Sequence, residues 1–220
     1  MAQQLNLLCG GVALASQLSV PAQPWGLVAF VHGNGSSHAS PRNRHVASYL
    51  QSQGLATLLF DQLSIAEQSQ PLRSPVHSLR QLASRVVAVL DLIACSEQVA
   101  GLPLGLFGGS TGAALALIAA AQRPTQVMAV VSRGGRPDLV PAVLGDVVCP
   151  TLLLVGSHDL DVLQLNTWAS VGLQGRHELR LVPGAGHLFA EPGCLELVAQ
   201  WSAEWFLHHL GAADSIRNGS

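Results

Sequence analysis

The sequence predicts an α/β protein: a mostly parallel, twisted sheet of about seven or eight strands with helices on both faces. Three observations point to it. Short apolar runs of strand length recur along the chain, helical segments separate them, and glycine or proline marks most junctions. That alternation is how a parallel sheet is wound, since each parallel strand needs a crossover that a helix supplies. With 220 residues and 49% hydrophobic composition, the chain is long and apolar enough for one sizeable core. We expect one domain over 1–210 and a flexible tail over 211–220.

The elements follow in order. Leu5 to Val20 alternates loosely about Gly10-Gly11, as an antiparallel hairpin at a sheet edge does. Gly26 to Val31 and Ala56 to Phe60 are buried-strand runs, with a helix near Arg44 to Gln53 between them. A polar loop, Asp61 to Arg73, leads to a long helix from Ser74 to about Val99, capped by Ser74 with Pro75 just inside. Its Leu79, Leu82, Val86, Val87, Leu90 and Ile93 recur at helical spacing. Then come strand Leu104 to Phe107, helix Thr111 to Gln122, strand Val127 to Ser132 and a short helical piece near Leu139 to Leu144. Strand Thr151 to Val155, helix Val162 to Gly172, strand Glu178 to Val182 and helix Leu195 to Leu210 close the series.

Composition excludes several classes of function. Net charge is −2, and all 11 basic residues are arginines with no clustered stripe, which argues against nucleic acid or an anionic membrane as partner. Without lysine, neither Schiff-base chemistry nor a phosphate-loop lysine is available. No window reaches the ~18 consecutive apolar residues of a membrane span. The start, Met1-Ala2-Gln3-Gln4, lacks the basic and apolar blocks of a secretory signal, so a cytoplasmic location is expected, or a mature form whose signal has been removed. Cys9, Cys95, Cys149 and Cys194 form no CxxC pair and no zinc spacing. They read as small buried apolar side chains, with a Cys149–Cys194 bridge reserved for an exported form.

Four segments carry chemistry. Gly108-Gly109-Ser110-Thr111-Gly112 is a G-x-S-x-G sequence between an apolar strand and an alanine-rich helix. A tight strand-to-helix turn there holds the serine in a strained conformation, hydroxyl outward, and side chains at the flanking glycines would collide with neighbouring backbone. A serine at its free pKa needs a base, and His187 in Pro183-Gly184-Ala185-Gly186-His187 follows the strand ending at Val182. After Val155 the chain reads Gly156-Ser157-His158-Asp159-Leu160-Asp161. Asp159 falls directly after the strand, whereas Asp161 reads as a helix cap. His32-Gly33-Asn34-Gly35 follows the first central strand, and Asn34-Gly35-Ser36 also matches a glycosylation sequon.

With these segments in this order, the chain resembles the α/β-hydrolase superfamily over nearly its whole length. FVHGNGSSHASPRNR, GLFGGSTGAALAL and LVPGAGHLFAEPG are similar to the dienelactone-hydrolase-like branch of small serine hydrolases. The resemblance implies Ser110 as nucleophile, His187 as base and Asp159 as orienting acid, with the main-chain N–H groups of Asn34 and Thr111 holding an oxyanion. It also implies no cap domain, no metal and no organic cofactor. Dienelactone hydrolases proper use a cysteine nucleophile. Serine at 110 shifts the expectation to short-chain ester hydrolysis through an acyl-enzyme, as a monomer or homodimer acting on a small-molecule ester. A lactonase, thioesterase or polyester-cleaving enzyme would use the same triad, and a non-catalytic small-molecule binder is the rival of another class. Arg133 and Arg136, just past Ser132, are candidates to bind a substrate carboxylate or phosphate, against the plainer reading that they brace loop carbonyls.

Overall fold

The computed structural model describes residues 2–70 and 78–217. Eight strands form one sheet: β1 (Ala2–Cys9), β2 (Val12–Ser19), β3 (Leu27–Val31), β4 (Ala56–Phe60), β5 (Leu104–Gly109), β6 (Val127–Arg133), β7 (Thr151–Gly156) and β8 (His177–Val182). Their order across the sheet is β1-β2-β4-β3-β5-β6-β7-β8. β1 and β2 form the expected edge hairpin, and β2 joins β4 antiparallel. Gly10 and Gly11, at φ 58° and 81°, make its two-residue turn, a backbone that other residues rarely adopt. Every later pairing is parallel.

Helices cover both faces, as expected. In β3, Leu27, Ala29 and Val31 turn to one face, where they pack with α3 (Leu79–Ala94) and α4 (Thr111–Gln122). Val28 and Phe30 turn to the other and meet α1 (Pro41–Ser52) and α6 (Cys194–Arg217). α6 presses so closely on β5 that a Cβ on Gly105 would stand 2.6 Å from the Phe206 ring. The link from β6 to β7 contains two 3-10 turns, Pro137–Leu139 and Pro141–Asp146, and no cap.

Several boundaries differ from expectation. α1 starts at Pro41, because Ser40 caps it and proline suits a first turn that has no N–H partner to lose. The polar loop after β4 contains the one-turn helix α2 (Ile65–Gln68), closed by a Ser64–Glu67 capping box. The expected start of the next helix at Ser74-Pro75 lies outside the described residues. The described helix has Ser78 as its cap. α5 (Leu160–Ser170) begins earlier than predicted, and α6 runs to Arg217, past the expected end at Leu210. Of the expected tail, 218–220 lie outside the described residues. All four cysteines are free; Cys9, Cys149 and Cys194 are buried and Cys95 is exposed. No described helix is long and apolar enough to cross a membrane.

Candidate active site

The site is assembled where β3, β5, β6, β7 and β8 end along one edge of the sheet. Ser110 sits between β5 and α4 at φ 52°, ψ −125°, one of two described residues other than glycine with positive φ. Such a conformation costs about 1–3 kcal/mol and persists only where its surroundings enforce it. Here the backbone does so on both sides. Ser110 N–H donates to the Arg133 carbonyl at 3.1 Å, while its carbonyl accepts from Ala113 at 3.1 Å and Arg136 at 3.2 Å. The flanking glycines let the neighbours come this close. A Cβ on Gly108 would stand 2.5 Å from Ala113 Cα, and one on Gly112 2.1 Å from the Val31 carbonyl.

Two stitched loops supply the remaining groups. His158 N–H donates to the Ala185 carbonyl at 2.9 Å, and Gly184 N–H to Ser157 Oγ at 2.8 Å. These bonds join the loop after β7 to the loop after β8. The result sets Asp159 Oδ2 2.7 Å from His187 Nδ1. A carboxylate accepts only, so Nδ1 carries the hydrogen and Nε2 is left as the basic atom. The ring lies over Gly134, where a Cβ would be 3.6 Å from His187 Cε1. Gly134 follows the Arg133 carbonyl that anchors Ser110, so the histidine and the serine share one corner of the sheet edge. Asp161 does not cap α5. Asp159 itself holds the cap position, and its carboxylate serves His187 rather than the helix N–H groups. Asp161 is exposed in the first turn.

The loop after β3 lies against the serine. Thr111 N–H, in the first turn of α4, has no acceptor among the described residues. Asn34 N–H is engaged: it donates to Thr111 Oγ1 at 2.9 Å. Buried side chains hold this loop from behind. Gln62 donates to the His32 carbonyl at 3.0 Å, and Arg85 donates to the Gln62 carbonyl at 2.7 Å and to Glu67 at 2.8 Å. Asp61 receives the His38 N–H at 2.6 Å. Burial lowers the pKa of His32 and favours its neutral form. In front of the loop a cleft of about 680 Å³ is lined by His32, Gly33, Asn34, Arg42 and Gln62, among others.

The two arginines separate. Arg136 is held by Asp138 through two bonds of 2.8 Å, so its charge is already matched. Arg133 has no carboxylate partner among the described residues, and its buried Nε is unpartnered. Its guanidinium lies by Gly109 and 5.8 Å from the Phe189 ring centre. Burial, and then the nearby Arg42 charge, bring it down to about 10, which leaves it cationic at neutral pH. Among the described residues, neither arginine braces the loop through side-chain bonds to carbonyls. Sequence reasoning did not single out Arg42, nor Glu191, which accepts the Gly186 N–H at 3.0 Å, nor Asn166, which donates to the Gly135 carbonyl at 2.9 Å. Arg42 and Asn166 act on residues distant in sequence, whereas Glu191 reaches Gly186 within its own loop, and none of the three stands in a motif of its own.

A family model described as serine aminopeptidase, S33, matches residues 22–136. A dienelactone hydrolase structure from Anabaena variabilis superposes with a TM-score of 0.90 at 47% identity, covering 94% of this chain and 98% of that one. The chain is an α/β-hydrolase. Within the superfamily it belongs with the dienelactone-hydrolase-like proteins. Est1E from Butyrivibrio proteoclasticus shares the fold of this α/β-hydrolase, with a TM-score of 0.80 at 18% identity over 94% and 98% of the two chains. Two curated proteins, from Mycobacterium tuberculosis strains CDC 1551 and H37Rv, are 49% identical over 94% of the chain. Each carries the name "Putative phosphoribosyl transferase", and the hydrolase spans about half their length, 46%.

Proposed function

We propose that this α/β-hydrolase is a serine esterase cleaving short-chain carboxylic esters, with Ser110, His187 and Asp159 as its triad. The observation that carries the reading is the 2.7 Å Asp159–His187 bond beside a serine at φ 52°. Such a bond fixes the imidazole tautomer and stabilises the imidazolium that forms. In the first step Ser110 Oγ bonds to the ester carbonyl carbon while its proton passes to His187 Nε2. The carbonyl oxygen becomes an oxyanion, and on collapse the leaving alcohol takes the proton from His187. Water then repeats the sequence on the acyl-enzyme, releasing the acid and restoring Ser110.

The absence of a cap between β6 and β7 and the half-exposed His187 favour small, accessible esters. A lactone or thioester would meet the same groups. The unmatched charge of Arg133 supports an additional reading, that preferred substrates carry a carboxylate or phosphate. The transferase name of the mycobacterial relatives covers whole proteins about twice this length. In this chain, a strained serine beside a His–Asp pair supports acyl transfer to water instead.

Hydrolysis of p-nitrophenyl acetate, butyrate and octanoate by the wild type and Ser110→Ala tests the proposal. Turnover of the shorter esters that vanishes in the variant supports it. Turnover unchanged by Ser110→Ala, or no turnover by the wild type, contradicts it.

A further inference from the structure

The Asn34–Thr111 bond changes which atoms can meet an oxyanion. A backbone N–H has one hydrogen, and that of Asn34 is already given to Thr111 Oγ1. A hydroxyl that accepts one bond still has its own hydrogen to donate. Among the described residues Thr111 Oγ1 appears only as an acceptor, so that donor is unassigned. It also lies beside the nucleophile. The point where a Cβ on Gly33 would stand is 3.2 Å from Ser110 Cβ and 3.3 Å from Thr111 Oγ1. Gly33 therefore leaves open a small space that the serine and the threonine hydroxyl both border. A side chain at 33 would fill it and strike the Gly109 carbonyl at 2.9 Å.

Resting on the esterase reading above, we propose that the Thr111 hydroxyl is a catalytic residue that donates a hydrogen bond directly to the oxyanion. The Thr111 N–H is the second donor, and Asn34 acts through the hydroxyl rather than on the substrate. When Ser110 Oγ bonds to the carbonyl carbon, the C=O π pair moves onto oxygen and the serine proton passes to His187. The Thr111 hydroxyl donates a hydrogen bond to that oxygen without giving up its proton. Its acceptance of the Asn34 N–H polarises it and strengthens the bond it donates. The residue also positions Asn34, whose N–H would otherwise have no side-chain acceptor here.

The test is steady-state hydrolysis of p-nitrophenyl acetate by the wild type, Thr111→Val and Thr111→Ser. Removing an oxyanion donor lowers kcat on the order of 10²-fold. We expect that loss in Thr111→Val, with KM changed by less than about threefold, because the bond is made to the transition state and not to the bound ester. Thr111→Ser keeps the hydroxyl and is expected within about fivefold of wild type. A Thr111→Val enzyme with wild-type kcat overturns the inference. So does one that is faster, since the hydroxyl would then be occupying the oxyanion's place. Should the valine variant not fold, Thr111→Cys replaces it. Its thiol is a weak donor and should lose kcat where serine retains it, and equal kcat for the cysteine and serine variants overturns the inference. An inactive wild type overturns the esterase reading itself, whereas an active wild type with an unimpaired Thr111→Val overturns this inference alone.

Discussion

Asp159 stands at the cap position of α5, yet its Oδ2 lies 2.7 Å from His187 Nδ1 and none of its side-chain bonds goes to the helix. The helix gives up a cap worth about 1 kcal/mol, and the imidazole gains a fixed orientation. Asp159→Asn keeps the shape but presents an amide, which stabilises the wrong tautomer. We expect kcat for p-nitrophenyl acetate to fall by about 10³–10⁴-fold. Asp161, two residues on and exposed, makes no ion pair with His187 among the described residues, so Asp161→Asn should stay within about twofold of wild type. Measuring kcat for both variants checks the assignment.

The close approach of Gly112 to β3 has a consequence for stability. Its missing Cβ would meet the carbonyl oxygens of Val31 at 2.1 Å and His32 at 2.6 Å, and neither is a flexible side-chain end. Gly112→Ala is expected to cost about 3 kcal/mol or more and to abolish activity, because α4 must move off the sheet. Gly145→Ala, with nothing within 4 Å of its Cβ, is the control and should melt within a few degrees of wild type.

The support behind the β3 loop should show itself in acid. Hydrogen bonding to Arg85 holds Glu67 down at about 2. A depressed carboxylate contributes stability that is full above its unfolded pKa of about 4.3 and is lost as pH falls towards 2. The contribution is on the order of 2 kcal/mol. Urea unfolding at pH 7 and at pH 3 should show Glu67→Gln destabilised at pH 7, with a smaller deficit at pH 3. Equal deficits at both pH values contradict the linkage.

Arg133 and Arg136 should behave differently towards charged substrates. Removing the unmatched cation in Arg133→Gln should raise KM for an ester bearing a distal carboxylate by about tenfold, and leave a neutral ester within about twofold. Arg136 is already paired with Asp138, so Arg136→Gln should not discriminate between the two esters. Paired kinetics on a succinate half-ester and a butyrate ester would show it.

Much of this architecture was legible in the chain, for identifiable reasons. The strand–elbow–helix unit around Ser110 could be read because a G-x-S-x-G turn imposes its demands within five residues. β4 could be read to the residue, since Gly54 ends the preceding helix and Asp61 closes a short strand of β-compatible residues. α2 was hidden because its Ser64–Glu67 capping box leads into no apolar repeat. Arg85 lies on the apolar face of α3, and its partner Glu67 is 18 residues away, so only the folded chain reveals the pair. The Asn34–Thr111 bond spans 77 residues and is equally invisible to local pattern. The α5 cap position falls to Asp159 because the helix starts at Leu160, earlier than its apolar pattern predicts, and the Asp159 carboxylate goes to His187 of another loop, which no propensity encodes.

The proposed esterase chemistry requires Ser110 to be an activated nucleophile. Intact-mass analysis after incubation with a fluorophosphonate, on the wild type and Ser110→Ala, tests it most directly. A single adduct is expected on the wild type, mapped by peptide to Ser110 and absent from the variant. A wild type that stays unlabelled, or an adduct that persists in Ser110→Ala, would contradict it.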